Sequence, residues 1–226
     1  MAKSSSKSNG GGGKLLMVKE LNLGDDNIDL SESPLTYGQP DAALTGKARQ
    51  VIEEFENKRY NMKTEYSTFI DADGNVIENN HGGKKSVGAS LKARMTADAM
   101  SHNHPREAGV LSGPLSAGDV SNFVRFHQKT YRATGKEGTY SMSKGKDFKG
   151  KELTEAYKKQ SDASYAKGDA KAKALASDYR SGKLTRSEYL SKLAKANNEM
   201  LVSDHNWLLA NQKTYGYSYT LERRTR

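Results

Sequence analysis

The segment TEYSTFIDADGNVIENN, residues 64–80, constrains the fold most strongly, because it has the pattern of a β-hairpin. Residues 65–70 alternate between two faces, as the residues of a strand do. The pair Asp73-Gly74 follows and is typical of a tight hairpin turn, since both residue types tolerate positive φ. The return strand is expected to begin near Asn75. The run DADGN is not interpreted as a calcium loop, because its Gly comes too early and no Glu follows at the required offset.

Three further segments have strand signals. KLLMVKELNL, residues 14–23, is predicted to be a short strand. YRATGKEGTYSMS is predicted to be a second hairpin that turns at residues 135–138. YGYSYTL, residues 215–221, is predicted to be the last strand, with Tyr217 and Tyr219 buried on one face.

Helical periodicity is clear in the segment over residues 45–60. Its apolar residues fall at i, i+3, i+4 and i+7, which predicts one buried helical face made by Ala48, Val51, Ile52 and Phe55. Residues 116–130 are predicted to form another helix. The stretch SLKARMTADAM, residues 90–100, fits a short helix or a helix that leads into a strand.

The region that begins near residue 150 is rich in Ala and Lys and is predicted to be helical, with breaks at Gly168 and Gly182. Thr185 and Glu188 have the spacing of a capping box, so a new helix is expected to begin there. Apolar residues recur every seven positions along it. They predict a core-facing stripe made by Leu193, Met200 and Trp207, flanked by Leu201 and Leu208.

Helices and strands mix along the chain without a strict βαβ order, which predicts an α+β layer fold. With 226 residues, one domain is expected over residues 15–226. Residues 1–14, rich in Gly, Ser and Lys, are interpreted as a flexible basic tail. The helices over about 150–182 are interpreted as an insertion.

Composition excludes several classes of protein. No run approaches the roughly 18 apolar residues that a membrane span needs, and no secretory signal is seen. The absence of cysteine excludes disulfides and thiolate metal sites and fits a cytoplasmic protein. The net charge of +9 makes nucleic acid a possible partner. Lys and Asp/Glu are interleaved, however, as they are on ordinary solvated helices.

The candidate functional motif is SHNHPREAGVLSGPLSAGDVSNF, residues 101–123. His102 and His104 are two residues apart, and Pro105 favours extended backbone before it. Two such histidines can turn toward one point, and a third ligand from Asp119 gives the three-ligand pattern of a catalytic zinc site. Ser116 and Asp119 also fit a simple helix capping box, which needs no metal.

HNHP followed by SAGD resembles the motif of JAB/MPN-domain (JAMM) metallopeptidases over about residues 45–145. The resemblance implies an α+β fold around a curved mixed sheet flanked by helices. It implies that zinc is held by His102, His104 and Asp119, that Ser116 stabilises the oxyanion, and that an upstream glutamate acts as general acid/base. Glu65 matches that glutamate best. The implied activity is hydrolysis of a peptide or isopeptide bond, and the implied substrates include ubiquitin-like conjugates.

The chain departs from the family pattern in two places. Ten residues separate Pro105 from Ser116, a longer gap than usual, and Ser112 lies in this gap as a competing serine. The upstream glutamate also has several rivals by position: Glu53, Glu54, Glu56 and Glu78.

Two other classes of function remain open. A His-Asn-His type metal-dependent nuclease would use His104, Asn122 and His127, although that leaves the Ser-x-x-Asp motif unexplained. A non-catalytic binding or structural protein would retain the fold without the chemistry. His81 and His205 are expected to be surface or packing residues in each case.

Overall fold

The computed structural model describes residues 35–105 and 109–224. These residues form six helices and six strands, so the predicted α+β class is confirmed. In chain order the elements are α1 (Gly46–Arg59), β1 (Tyr66–Ile70), β2 (Val76–His81), α2 (Leu91–Thr96), β3 (Ala99–Asn103), α3 (Ala117–Arg125), β4 (Thr130–Gly135), β5 (Gly138–Lys144), α4 (Gly150–Arg180), α5 (Arg186–Ala210), α6 (Gln212–Tyr215) and β6 (Tyr217–Glu222). The predicted tail over 1–14 and the predicted strand over 14–23 lie outside the described residues.

The strands form one mixed sheet in the order β2-β1-β3-β4-β5-β6. Neighbouring strands in this sheet are antiparallel except β3 and β4, which run parallel. Both predicted hairpins are present. In the first, Asp71 accepts hydrogen bonds from the backbone N–H groups of Asp73 and Asn75, and Gly74 has a φ of 76°. The predicted turn is therefore confirmed.

Parallel strands cannot be joined by a tight turn, and α3 makes the crossover between β3 and β4. The ambiguous segment over residues 90–100 supplies α2 and then β3. The helix predicted over 116–130 is wrong at its carboxyl end, because α3 ends at Arg125 and Phe126 takes an extended conformation. The chain beyond this point is held by the side chain of Gln128, which donates hydrogen bonds to carbonyls of α2.

One face of the sheet carries the main hydrophobic core. A row of side chains crosses five strands on this face: Phe69, Met100, Tyr131, Met142 and Tyr219. Helices α3, α4 and α5 cover it with Phe123, Leu153, Tyr157, Leu201 and Leu208. Each such side chain stabilises the fold by about 1.5–3 kcal/mol relative to exposure.

The opposite face of the sheet is buried but polar. Its matching row is Thr68, Ser101, Arg132, Ser141 and Thr220. The guanidinium of Arg132 donates to Glu56 of α1 at 2.8 Å and to Glu222 of β6 at 2.9 Å. Breaking a buried ion pair of this kind costs about 3–5 kcal/mol. Helix α1 is therefore fixed to the sheet by charge and hydrogen bonds and also by a small apolar cluster, in which Ile52 packs with Ile70 and Ala99.

Helices α4 and α5 form a long antiparallel hairpin. The predicted break at Gly168 is wrong, because α4 continues through it as one 31-residue helix in which Gly168 is buried. The predicted break at Gly182 is confirmed, since its φ is 75°. The capping box of Thr185 and Glu188 is confirmed at the start of α5.

The two ends of this hairpin differ in their packing. Leu153 and Tyr157, near the start of α4, lie in the main core. Farther along, Ala172 and Leu175 pack in a separate cluster made only of α4 and α5 side chains. The predicted stripe on α5 faces inward, with Leu193, Met200, Leu201 and Leu208 buried and Trp207 packed against the core. Within the described ranges, no helix combines the length and hydrophobicity of a membrane span.

Candidate metal centre

His102 and His104 are presented at the carboxyl end of β3, and both are buried. Because they are two residues apart on extended backbone, their side chains lie on the same face. Nδ1 of His102 lies 2.9 Å from the carbonyl oxygen of Arg132, and Nδ1 of His104 lies 3.3 Å from that of Gly113. A carbonyl can only accept, so each Nδ1 donates. In the neutral rings each Nε2 is then the atom available to a metal.

The two Nε2 atoms converge on the carboxylate of Asp119. They lie 2.9 Å from each other, and 3.4 Å (His102) and 3.3 Å (His104) from the oxygens of Asp119. Asp119 is in the first turn of α3 and is buried. The crossover places this turn at the end of β3, so residues from a strand and a helix meet there.

Asp119 is also the capping residue that the sequence allows. Its Oδ2 accepts from the backbone N–H of Ser116 at 2.8 Å and from the Ser116 hydroxyl at 2.7 Å. Ser116 Oγ in turn accepts from the N–H of Asp119 at 3.1 Å. The capping interpretation and the ligand interpretation are therefore compatible, because the cap orients the carboxylate toward the histidines.

The donor set fits a transition-metal ion. Two imidazole nitrogens and one carboxylate oxygen form a buried group whose atoms all lie within 4.8 Å of one another. Metal–ligand bonds of about 2.0–2.2 Å in a tetrahedral arrangement put ligand atoms about 3.3 Å apart. The two distances that involve Asp119 match this value, and the distance between the Nε2 atoms is shorter by a few tenths of an ångström.

Electrostatics in the centre favour a carboxylate beside a protonated imidazole. Burial opposes charge on His104, but the hydrogen bond and charge of Asp119 outweigh it and raise the pKa of His104 to about 8. Burial likewise opposes the charge on Asp119, yet the two histidines hold the pKa of its carboxyl well below its usual range. Desolvation and the negative charge of Asp119 raise the pKa of Tyr131, whose ring stacks edge-on against His102. A cation is thus stabilised at this point in the fold.

Glu65 lies next to the centre. It directly precedes β1, and its backbone pairs with Gly82 and Gly83. The register pairs Ser67 with His102, so its continuation places Glu65 across from His104 on the same face. Burial raises the pKa of Glu65, the charges of His102 and His104 lower it, and Asp119 raises it further. The carboxyl is therefore in electrostatic contact with all three candidate ligands.

The other upstream glutamates are engaged elsewhere. Glu56 is held by Arg132 on the polar face of the sheet, and Glu53 pairs with Arg49 on α1. Glu78 accepts from Ser90 and Asn80, and Glu54 is exposed. Among these glutamates, Glu65 is the one beside the histidines.

The loop between β3 and α3 is held by residues that sequence reasoning missed. Glu137, in the β4–β5 turn, accepts from the N–H of Gly113 at 2.9 Å, and the carbonyl of Gly113 contacts His104. Asn198 of α5 accepts from the N–H of Leu111 and donates to the carbonyl of Gly109. These partners are up to 89 residues apart in sequence, so no local pattern indicates them.

Two buried serine hydroxyls, one on β1 and one in the loop between β3 and α3, lack a hydrogen-bond partner within the described residues. One belongs to Ser67, directly across from His102 on β1. The other belongs to Ser112, which lies against Gly135 rather than against the helix that carries Asp119. Ser116, not Ser112, is therefore the serine that contacts a candidate ligand.

The remaining histidines lie outside the cluster. His81 is exposed and stacks on Tyr66. His205 is buried as a packing residue, between the hydroxyl of Tyr219 and a backbone carbonyl, and burial lowers its pKa to about 4. His127 is exposed beyond the end of α3, whereas His104 is buried among the candidate ligands. The exposure of His127 does not favour the nuclease interpretation.

Comparison with known proteins gives no relative: no family model, no curated protein and no solved structure matches the chain.

Proposed function

We propose that this protein is a zinc-dependent peptidase or isopeptidase with a JAB/MPN-like fold. The observation that carries the proposal is the buried group of His102, His104 and Asp119, with Glu65 on the adjacent strand. Three protein ligands and an open fourth position are the pattern of a catalytic zinc site, whereas structural sites have four protein ligands. Nitrogen and carboxylate donors without thiolate suit zinc in such a site.

Zinc bound there would polarise the scissile carbonyl and acidify a water molecule. Glu65 would accept a proton from this water and pass it to the leaving amine. Its burial raises its pKa, which makes the protonated form accessible nearer neutral pH and suits a group that must both take and return a proton.

Ser116 has a positioning role in this proposal as well as the oxyanion role implied by the family resemblance. Its hydroxyl donates to Asp119, so it fixes the ligand before any substrate is present. To stabilise an oxyanion, this hydroxyl would have to turn from Asp119 toward the substrate. The two roles are therefore sequential.

Metal content tests the site directly. The purified full chain, stripped with a chelator and reloaded, is expected to retain about one zinc per chain by elemental mass spectrometry. His102→Ala combined with His104→Ala should abolish zinc binding. His81→Ala and His127→Ala are matched controls, because both histidines are exposed and outside the cluster. Stoichiometric zinc in the double variant would refute the site, and zinc loss in His127→Ala would favour the nuclease.

Activity is tested on the zinc-loaded chain with a panel of fluorogenic peptides and ubiquitin-like isopeptide conjugates. Hydrolysis that a chelator abolishes and zinc restores is the expected result. Full zinc occupancy without hydrolysis of any member of the panel would instead favour a non-catalytic protein that retains the site.

A further inference from the structure

The distal part of the α4–α5 hairpin, residues 167–195, is hereafter called the arm. Helix α4 has 31 residues, which corresponds to a length of about 46 Å at 1.5 Å per residue. Beyond Gly168, no residue of α4 is buried. The two helices of the arm are held together by their own side chains, since Leu193 and Ala196 of α5 pack on Ala172 and Leu175 of α4. It therefore presents most of its surface to solvent.

The arm is strongly basic. It contains eight Lys or Arg residues and three Asp or Glu residues, so it carries +5 of the net charge of +9. All eight basic side chains are exposed: Lys167, Lys171, Lys173, Arg180, Lys183, Arg186, Lys192 and Lys195. The arm thus carries more than half of the net positive charge of the chain.

Most of this charge is not neutralised within the protein. Lys171, Lys173 and Lys183 form ion pairs with Glu199, Asp169 and Asp178. Among the described residues, no ion pair is formed by the other five cations of the arm, which are Lys167, Arg180, Arg186, Lys192 and Lys195. An ordinary solvated helix has its cations interleaved with acids at i+4. Lys167, Arg180 and Arg186 depart from that pattern, whereas Lys192 lies four residues after Glu188 and Lys195 four residues before Glu199 without forming an ion pair in the part of the chain that the structure describes.

An aromatic pair lies at the end of the arm. The rings of Tyr179 and Tyr189 stack with centroids 5.0 Å apart and an angle of 11° between their planes. Tyr179 is 40% exposed, although large apolar or aromatic side chains usually turn inward. It directly precedes Arg180. An exposed ring beside unpaired cations is the combination that stacks a base and neutralises a phosphate.

We propose that the arm binds single-stranded nucleic acid. The five unpaired cations contact phosphates, and the exposed ring of Tyr179 stacks on an unpaired base. An acidic protein would also be attracted by the charge, but it would give the exposed tyrosine no role. This proposal does not rest on the metal centre or on hydrolysis.

The test is fluorescence anisotropy with the full chain and a labelled 12-nucleotide single strand, as DNA and as RNA, over a range of salt concentrations. The arm variant changes Lys167, Arg180, Arg186, Lys192 and Lys195 to Gln. The control variant changes five exposed lysines on other elements to Gln: Lys58, Lys63, Lys84, Lys85 and Lys92. Both variants lose five positive charges and retain the basic N-terminal segment, so they differ only in where the removed charges lie. Circular dichroism confirms that each variant is folded.

The arm variant is expected to bind at least about 100-fold more weakly at low salt, with the slope of log affinity against log salt reduced by about 3.5. The control variant should change both quantities much less. Tyr179→Ala should weaken binding about tenfold, and Tyr179→Phe should retain it, because the ring rather than the hydroxyl stacks.

Three results would overturn the proposal. The first is an equal loss of affinity in the control and arm variants. The second is tighter binding of a duplex of the same sequence than of the single strand. The third is displacement of the strand by polyglutamate as effectively as by unlabelled strand at equal charge, which would identify an acidic protein as the better partner.

Discussion

Asp119 shows how one side chain can cap a helix and also belong to a candidate metal centre. The N3 position of a helix directs its carboxylate back toward the helix N-terminus, where the backbone N–H of Ser116 needs a partner. In this fold the same N-terminus abuts the end of β3, so Oδ1 remains close to His102. The sequence alone allowed either role. Only the crossover geometry, which depends on the sheet, makes both possible at once.

At the same scale, Glu65→Gln tests whether the proposed proton transfer can be separated from the proposed metal binding. Glu65 lies beside the candidate ligands and is not one of them, so the variant should retain zinc at the wild-type stoichiometry. Hydrolysis should fall by a factor of roughly 100 to 10,000, the usual contribution of a positioned proton carrier. The measurement is steady-state kinetics on any substrate found in the peptide panel, paired with zinc content.

Glu78→Gln is the matched control for this variant, because Glu78 lies on the next strand and bonds to Ser90 and Asn80. Asp119→Asn should behave differently from both variants. It removes a proposed ligand, so it should lower the affinity for zinc. Unchanged hydrolysis in Glu65→Gln would exclude Glu65 as the acid/base while leaving the metal site intact.

At the scale of elements, the sequence was informative wherever a pattern is local. The helix predicted over 45–60 is α1, the two hairpins are present, and α5 begins at its capping box. The burial of Tyr217 and Tyr219 in β6 is confirmed. Each of these depends on periodicity or on turn and cap chemistry within a few residues.

Errors occurred where distant contacts override local preference. Gly168 continues α4 although Gly weakens helices by about 1 kcal/mol, because it is buried in the hairpin. The polar face was not foreseen, since Glu56, Arg132 and Glu222 come from three elements far apart in sequence. In the candidate site, the candidate ligands were predictable from their motif. The hydrogen bonds by which Glu137 and Asn198 hold the loop between β3 and α3 were not.

Strand β6 should be essential for folding. Deleting residues 214–226 removes Tyr217, Tyr219 and Leu221 from the core and leaves Arg132 without its Glu222 partner. Loss of each large core side chain costs about 2–5 kcal/mol, so losing all three is comparable with the whole ~5–15 kcal/mol that stabilises a domain. Circular dichroism of the truncated protein should show no cooperative thermal transition.

Point variants on the same strand give a graded form of this test. Leu221→Ala should lower the free energy of unfolding by about 2–5 kcal/mol. Ser218→Ala, at an exposed position of β6, should change it by less than about 0.5 kcal/mol. A truncated protein that melts like the full chain would contradict the placement of β6 inside the sheet.

For the whole molecule, zinc binding should appear as pH-dependent stability. Zinc at 100 times its dissociation constant at pH 8 should raise the free energy of unfolding by about 2.7 kcal/mol. The metal needs a neutral His104, whose pKa without metal is about 8, so protons compete increasingly below that pH. The affinity for zinc should fall about tenfold per pH unit below this pKa. Most of the zinc-dependent rise in the free energy of unfolding should therefore disappear by pH 6. The measurement is the melting temperature with zinc and with chelator at each pH.

The His102→Ala/His104→Ala variant should have the same melting temperature with zinc as with chelator at every pH. The melting temperatures of His81→Ala should follow those of the wild type. A zinc-dependent gain that is constant between pH 6 and 8 would contradict the role of His104 as a ligand that must lose a proton.

The crossover from β3 through α3 to β4 also bears on the order in which the chain folds. The three candidate metal ligands on this crossover fall within residues 102–119, a short stretch of a 226-residue chain. Closing so short a loop costs little chain entropy and takes well under a microsecond, whereas pairing β6 with β5 joins segments separated by the whole α4–α5 hairpin and α6. We therefore expect ion capture to accompany the earliest stage of folding, so that dissolved zinc would accelerate refolding as well as slow unfolding.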